Sequence, residues 1–197
     1  MKRTTAPLGA YGANCSILSD GASAWVVDPG SEGERIVSFL RREGLRLEGI
    51  LLTHAHFDHI GGIPALREAW PDAPVYLHPS DVPMLGHPMN AMPPDYPPLP
   101  APGGIRDCRE QTFARVVETP GHTPGGVCYY FPEEKLLLSG DTLFAGSVGR
   151  TDFPGGSMGA LVESLARLAA LPEDTLVVPG HGPETTIGAE KRHNPYL

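Results

Sequence analysis

Thr53-His54-Ala55-His56-Phe57-Asp58-His59-Ile60-Gly61-Gly62 places three histidines and an aspartate within six positions. The preceding Gly49-Ile50-Leu51-Leu52-Thr53 is an apolar run of strand length, and Ile60, Ile63 and Leu66 have helical spacing. The cluster therefore sits where a buried strand turns into a helix. A strand would send alternate side chains to opposite faces and a helix would scatter them, whereas a turn can aim all four at one point. Neutral imidazole and carboxylate are ligands for zinc, iron or manganese.

Outward from this turn the pattern repeats. Val116-Val117 runs into Thr119-Pro120-Gly121-His122, Leu136 to Ser139 into Gly140-Asp141-Thr142, and Leu176 to Val178 into Pro179-Gly180-His181-Gly182. Each is an apolar strand delivering a histidine or aspartate to a glycine-flanked loop. Ligands gather beyond the carboxyl ends of strands in sheets flanked by helices, so these ends are expected to converge. His54, His56, Asp58, His59, His122, Asp141 and His181 are together the inventory of two metal ions rather than one. His78, His87 and His193 lack that setting and are read as non-ligands.

The rest of the chain frames the site. Strands are expected at 14–19 and 24–28, followed by a helix with a Ser31/Glu34 capping box and an apolar face of Ile36, Val37 and Leu40, ended by Gly44. Further strands are expected at 75–77, 112–117, 127–131, 136–139 and 176–178. Ser157 caps a helix whose stripe is Met158, Leu161, Val162, Leu165 and Leu168. From Pro88 to Pro102 seven of fifteen residues are proline, which excludes helix and central strand. Met89, Met92 and Tyr96 suit that segment to be a wall or lid over the site.

The length, 197 residues, suits one domain spanning 1–197. No apolar run reaches the ~20 residues of a membrane span, and no apolar segment follows Lys2-Arg3 as in a signal peptide. A net charge of −8 disfavours nucleic acid as a partner. Three cysteines, Cys15, Cys108 and Cys128, without C-x-x-C spacing fit buried thiols in a reducing cytoplasm. Oligomeric state is not legible.

Thr-His-x-His-x-Asp-His at 53–59, Gly-His at 121–122, Gly-Asp-Thr at 140–142 and Gly-His-Gly at 180–182 resemble the metallo-β-lactamase superfamily, from Val27-Asp28-Pro29-Gly30 onward. The resemblance implies an α/β (α+β) fold, a four-layer αββα sandwich, with two divalent metals at one edge, zinc ahead of iron or manganese. By it, His54, His56 and His122 hold the first metal and Asp58, His59 and His181 the second. Asp141 bridges them, and Asp28 stands behind the ligands. Gly140-Asp-Thr-Leu-Phe144, Gly149-Arg-Thr-Asp-Phe-Pro-Gly-Gly156 and Glu190-Lys-Arg-His-Asn-Pro-Tyr196 are most similar to the glyoxalase II (hydroxyacylglutathione hydrolase) group, in a short form without that group's C-terminal helical domain. The implied activity is hydrolysis of a small-molecule thioester such as S-D-lactoylglutathione by a metal-bridging hydroxide oriented by Asp58. The resemblance places Arg150 on the substrate and the chain ending near the site. Because longer members take much of their glutathione site from the missing domain, the thiol part of the substrate stays open.

Persulfide dioxygenases also resemble this chain, and would use one iron on His54, His122 and Asp141. Lactone hydrolysis shares all seven ligands. A β-lactam is the less expected substrate, an RNase Z-like phosphodiesterase would need a basic exosite, and a metal-dependent scaffold is the non-enzymatic alternative.

Overall fold

The structure is a computed structural model and describes residues 1–88, 90–94, 96–97 and 103–197. Strands β1 (Lys2–Leu8), β2 (Ala13–Ser19) and β3 (Ser23–Val27) form an antiparallel meander. Helix α1 (Gly33–Arg42) then crosses to β4 (Arg46–Leu51), parallel to β3. Two short helices, α2 (Phe57–Ile60) and α3 (Ile63–Ala69), lead to β5 (Val75–Leu77) and on to β6 (Ile105–Asp107), completing a six-stranded sheet in chain order. The second half supplies β7 (Arg115–Glu118), β8 (Val127–Phe131), β9 (Leu136–Gly140) and a small hairpin of β10 (Leu143–Phe144) with β11 (Ser147–Val148). Helix α4 (Met158–Ala169), β12 (Leu176–Pro179), β13 (Thr185–Thr186) and α5 (Ile187–His193) follow. The second sheet has the order β13-β12-β9-β8-β7.

The two sheets pack face to face with helices outside, giving the expected αββα layers. Because the central strands are covered on both faces, they read as continuous apolar runs. Along β8, Val127, Tyr129 and Phe131 point into the core between the sheets, while Cys128 and Tyr130 point to the layer under α4 and α5. In β9, Leu136 and Leu138 face inward and Leu137 outward. The other outer layer joins Ile36, Val37 and Leu40 of α1 and Leu66 of α3 to Val26 and Ile50.

Several local expectations need correction. No Ser31/Glu34 capping box forms. The loop before α1 is tied down by Gly62 N–H donating to Pro29 O (2.7 Å) and Gly9 N–H to Glu32 Oε1 (2.9 Å), so the helix is entered through Glu32 in the left-handed conformation (φ 51°). The helix after the metal turn is broken at Gly61-Gly62, where a Cβ on Gly61 would stand 2.4 Å from Gly30 O. β4 starts earlier than read, because polar Arg46 and Glu48 alternate with the buried residues. Strand β7 starts at Arg115 rather than Thr112, since the Gln111 side chain accepts from Phe113 N (2.8 Å) and Ala114 N (2.9 Å), holding a turn there. On α4 the buried stripe is Leu161, Ser164, Leu165 and Leu168, whereas Met158 and Val162 are exposed. Strands β1, β6, β10, β11 and β13 had no sequence signal strong enough to read. Of the proline-rich segment, Met89, Asp95 and 98–102 lie outside the described residues.

Candidate metal centre

The metal turn belongs to the first sheet and the other three ligand loops to the second. β4 ends at Leu51, His54 and His56 lie in the irregular stretch after it, and Asp58 and His59 lie in α2. β7, β9 and β12 run in one direction, so His122, Asp141 and His181 leave the same end of the second sheet. The site is built where the strand ends of both sheets meet.

Two groups of donor atoms result. His54, His56 and His122 form one, and Asp58, His59 and His181 the other. In the first, His56 Nδ1 and His122 Nε2 are 2.8 Å apart. In the second, His59 Nε2 and His181 Nε2 are 3.3 Å apart, and His181 Nε2 lies 3.3 Å from Asp58 Oδ2. Asp141 stands between the groups: its carboxylate is 3.4 Å from His59 Nε2, 3.5 Å from His122 Nε2 and 3.7 Å from His181 Nε2. All seven predicted ligands are brought together. A Cβ on Gly180 would stand 2.1 Å from Asp141 Oδ1, which is why that loop needs glycine.

The rear nitrogens explain why these rings face inward. Asp28 Oδ1 accepts from Thr53 N–H (2.8 Å) and Oδ2 from Thr53 Oγ1 (2.6 Å) and His59 Nδ1 (3.0 Å). Thr53 Oγ1, its own proton given to Asp28, is left as acceptor for His54 Nδ1 (3.0 Å). His122 Nδ1 donates to Arg150 O (2.7 Å) and His181 Nδ1 to Tyr11 O (3.1 Å). Four rings therefore keep a proton at the back, so that Nε2 is the nitrogen each turns to the site, the arrangement that outer partners impose on metal-binding histidines. Asp28 also lies within ligand range of His54 and His59. Its oxygens are already occupied by Thr53 and His59, so we place it behind the ligands.

Charge and burial fit a cation. His54 Nε2 and Asp141 Oδ1 are buried without a hydrogen-bond partner, an arrangement that costs free energy unless something else satisfies them. Burial and the surrounding imidazoles hold His54 well below the usual histidine range, and push His56 down to about 3. Burial would lower His59 too, but Asp141 and Asp28 outweigh it and raise it to about 9. Burial would raise the Asp58 carboxyl, yet the hydrogen bond with His181 and the charge of His59 hold it at about 2. His181 is raised: the hydrogen bond to Asp58 and the Asp141 charge outweigh burial. A buried orphan nitrogen, an orphan carboxylate oxygen and two three-donor groups of N and O ligands match the donor set of a dinuclear site.

Arg150 reaches the site through its backbone as well as its side chain. Its carbonyl orients His122, while its guanidinium donates to Asp152 (2.7 and 2.6 Å) and lies 4.0 Å over the Phe153 ring. Phe153 in turn packs edge-on against His56 (5.6 Å between ring centres). On the opposite side, Tyr11, Phe57 and Tyr96 form an aromatic cluster with ring centres 5.0–5.4 Å apart. Of the described part of the proline-rich segment, Tyr96 is buried against Phe57 of the turn and Met92 is exposed. The chain ending also packs here. Asn194 Nδ2 donates to Ser147 O (3.0 Å) and Glu190 Oε2 accepts from Gly146 N–H (2.8 Å), fixing the β10–β11 hairpin that follows Asp141.

Sequence reading missed Thr53, Tyr11, Asp81 and Asn90. Tyr11 acts through its carbonyl, which leaves no side-chain signal. Asp81 and Asn90 are brought to the turn from 26 and 35 residues away by tertiary structure.

Comparison with known proteins agrees with this geometry. The family pattern described as the metallo-beta-lactamase superfamily matches residues 8–181. The hydroxyacylglutathione hydrolase GloC of Haemophilus influenzae is 36% identical, over 97% of this chain and 95% of its own. Two solved structures superpose along the whole chain. The BLEG-1 B3 metallo-beta-lactamase is 39% identical with a TM-score of 0.90, covering 100% of this chain and 99% of its own. TTHA1623 in a di-iron-bound form is 44% identical with a TM-score of 0.87, covering 100% of both chains.

Proposed function

The chain belongs to the metallo-beta-lactamase superfamily, and from that premise we propose that it is a dinuclear metal hydrolase whose substrate is a small-molecule thioester such as S-D-lactoylglutathione. The observation that carries the reading is the pair of donor groups on either side of Asp141, with His54 Nε2 and Asp141 Oδ1 buried without a hydrogen-bond partner. The 36% identity to GloC favours the thioester, and the di-iron relative makes iron a candidate beside zinc and manganese.

When bound, two such metals supply a water acidic enough to be hydroxide near neutral pH and a Lewis acid for the carbonyl oxygen. The residues do the rest. His54, His56 and His122 would hold one ion, Asp58, His59 and His181 the other, and Asp141 both. Asp58, held at about 2, is a carboxylate at neutral pH and orients the attacking water by accepting its proton's hydrogen bond. A thiol leaving group has a pKa near ~8.5 and departs as thiolate without a strong acid. Phe153 and the Tyr11–Phe57–Tyr96 cluster flank the donors and give the acyl and thiol parts apolar contact. Arg150 is the cation available to a substrate carboxylate, provided that carboxylate displaces Asp152.

The BLEG-1 likeness favours a β-lactam as the second reading. A three-substrate assay separates the possibilities. We expect thiol release from S-D-lactoylglutathione, abolished in Asp141→Ala together with metal retention. Wild-type rates in Asp141→Ala, faster turnover of a β-lactam, or oxygen uptake on glutathione persulfide with one iron per chain would each overturn it.

A further inference from the structure

His54 and His56 lie in backbone that is neither helix nor strand, so no ladder of hydrogen bonds fixes their angle to one another. Ala55, the residue between them, has both of its backbone polar groups held by side chains instead. Asp81, fully buried, accepts from Ala55 N–H at Oδ2 (3.2 Å). The same carboxylate accepts from Thr123 Oγ1 (2.8 Å) and Gly125 N–H (2.6 Å). It thereby ties the residue between His54 and His56 to the loop immediately after His122. From the other side Asn90 donates to Ala55 O (2.6 Å) and accepts from Phe57 N–H (2.9 Å). Its Nδ2 also reaches Met84 O (3.2 Å), anchoring it to the Pro79–Met84 turn that carries Asp81. A Cβ on Gly125 would stand 2.7 Å from Asp81 Oδ1, so this packing leaves no slack.

We infer that Asp81 and Asn90 are positioning residues forming a clamp that sets the spacing of His54, His56 and His122, and that the proline-rich segment serves the site by delivering Asn90. The N–H and the C=O of Ala55, one in each of the peptide groups that join it to His54 and His56, are both gripped by side chains, and Asp81 carries the grip on to the loop after His122. The clamp touches neither His59 nor His181. It should therefore govern one metal and not the other.

The inference rests on the dinuclear reading, and the test keeps the two apart. Zinc-loaded wild type, Asn90→Ala and Asp81→Asn are equilibrated with graded concentrations of a chelator, and zinc per chain is counted at each step. The melting temperature of each zinc-free protein checks the fold, and Asn90→Ala, at the more exposed position, stands in should Asp81→Asn not fold. For each folded variant, we expect one zinc to leave at a chelator concentration at least ~10-fold lower than in wild type, the scale of outer-partner losses. The second zinc should leave as in wild type. Release curves that superimpose on wild type, whatever the melting temperature, overturn the clamp, as do curves in which both zincs shift equally. Wild type holding two zincs beside an unshifted Asn90→Ala contradicts the clamp alone; wild type holding fewer than two contradicts the dinuclear reading and the clamp with it.

Discussion

At the scale of single residues the site is a matter of which nitrogen carries a proton. Asp28 fixes His59 directly and His54 through Thr53, so one carboxylate sets two ring tautomers, one in each donor group. Asp28→Asn keeps the shape but replaces an acceptor with a donor. It should weaken metal binding by ~10–100-fold in a competition titration while the fold, read by circular dichroism, persists. Proton competition should also distinguish the two groups. A metal binds only neutral imidazole, so a histidine whose pKa is raised must surrender a proton whenever the pH is below that value. His59, at about 9, holds its proton at pH 7, and affinity falls by ~10-fold per pH unit as the solution is acidified below 9. His56, at about 3, has no proton to give up until far lower pH. Acidifying the metal-loaded protein from pH 8 to pH 6 should therefore empty the Asp58/His59/His181 group first, as read by metal per chain after buffer exchange. Loss from the His54/His56/His122 group first would contradict this order.

At the scale of elements, legibility followed burial. Strands covered on both faces, such as β8 and β9, are nearly continuous apolar runs, and these were readable along with the Gly140-Asp141 loop that β9 delivers. The elements that went unread gain their order from tertiary contacts. β1 is half-exposed and polar and is ordered by pairing with β2, and the β10–β11 hairpin is two residues a side, held by Glu190 and Asn194. Helical spacing alone also overstated the α4 stripe, because the five apolar positions span more of the helix than the second sheet covers. Leu165→Ala should cost about 2–5 kcal/mol in urea unfolding, since Leu165 is packed against Val177 and Ile187 in the outer layer. Val162→Ala, at an exposed position, should stay within about 0.5 kcal/mol. Equal losses at the two positions would contradict the packing of α4.

At the scale of the whole molecule, the two sheets are separately continuous and meet at the donor cluster. His54, His56, Asp58 and His59 come from the first sheet's side and His122, Asp141 and His181 from the second's, so the His54/His56/His122 and the Asp58/His59/His181 groups are each completed only across the two halves. The motif spacing revealed which residues gather, but not that they come from facing sheets or that Asp81 and Asn90 hold the seam, since side chains gripping backbone leave no pattern in sequence. Membership of the superfamily follows from the chain as a whole, whereas the side chains beside the donors are few: Arg150, paired with Asp152, and the rings of Phe153 and Phe57.

The most direct test of the dinuclear hydrolase is to strip the protein of metal, titrate zinc back, and follow S-D-lactoylglutathione cleavage and bound metal in the same samples. The account predicts negligible activity without metal and a rise that ends at two zincs per chain. Full activity at one metal per chain, or thioester cleavage in the metal-free protein, would contradict it.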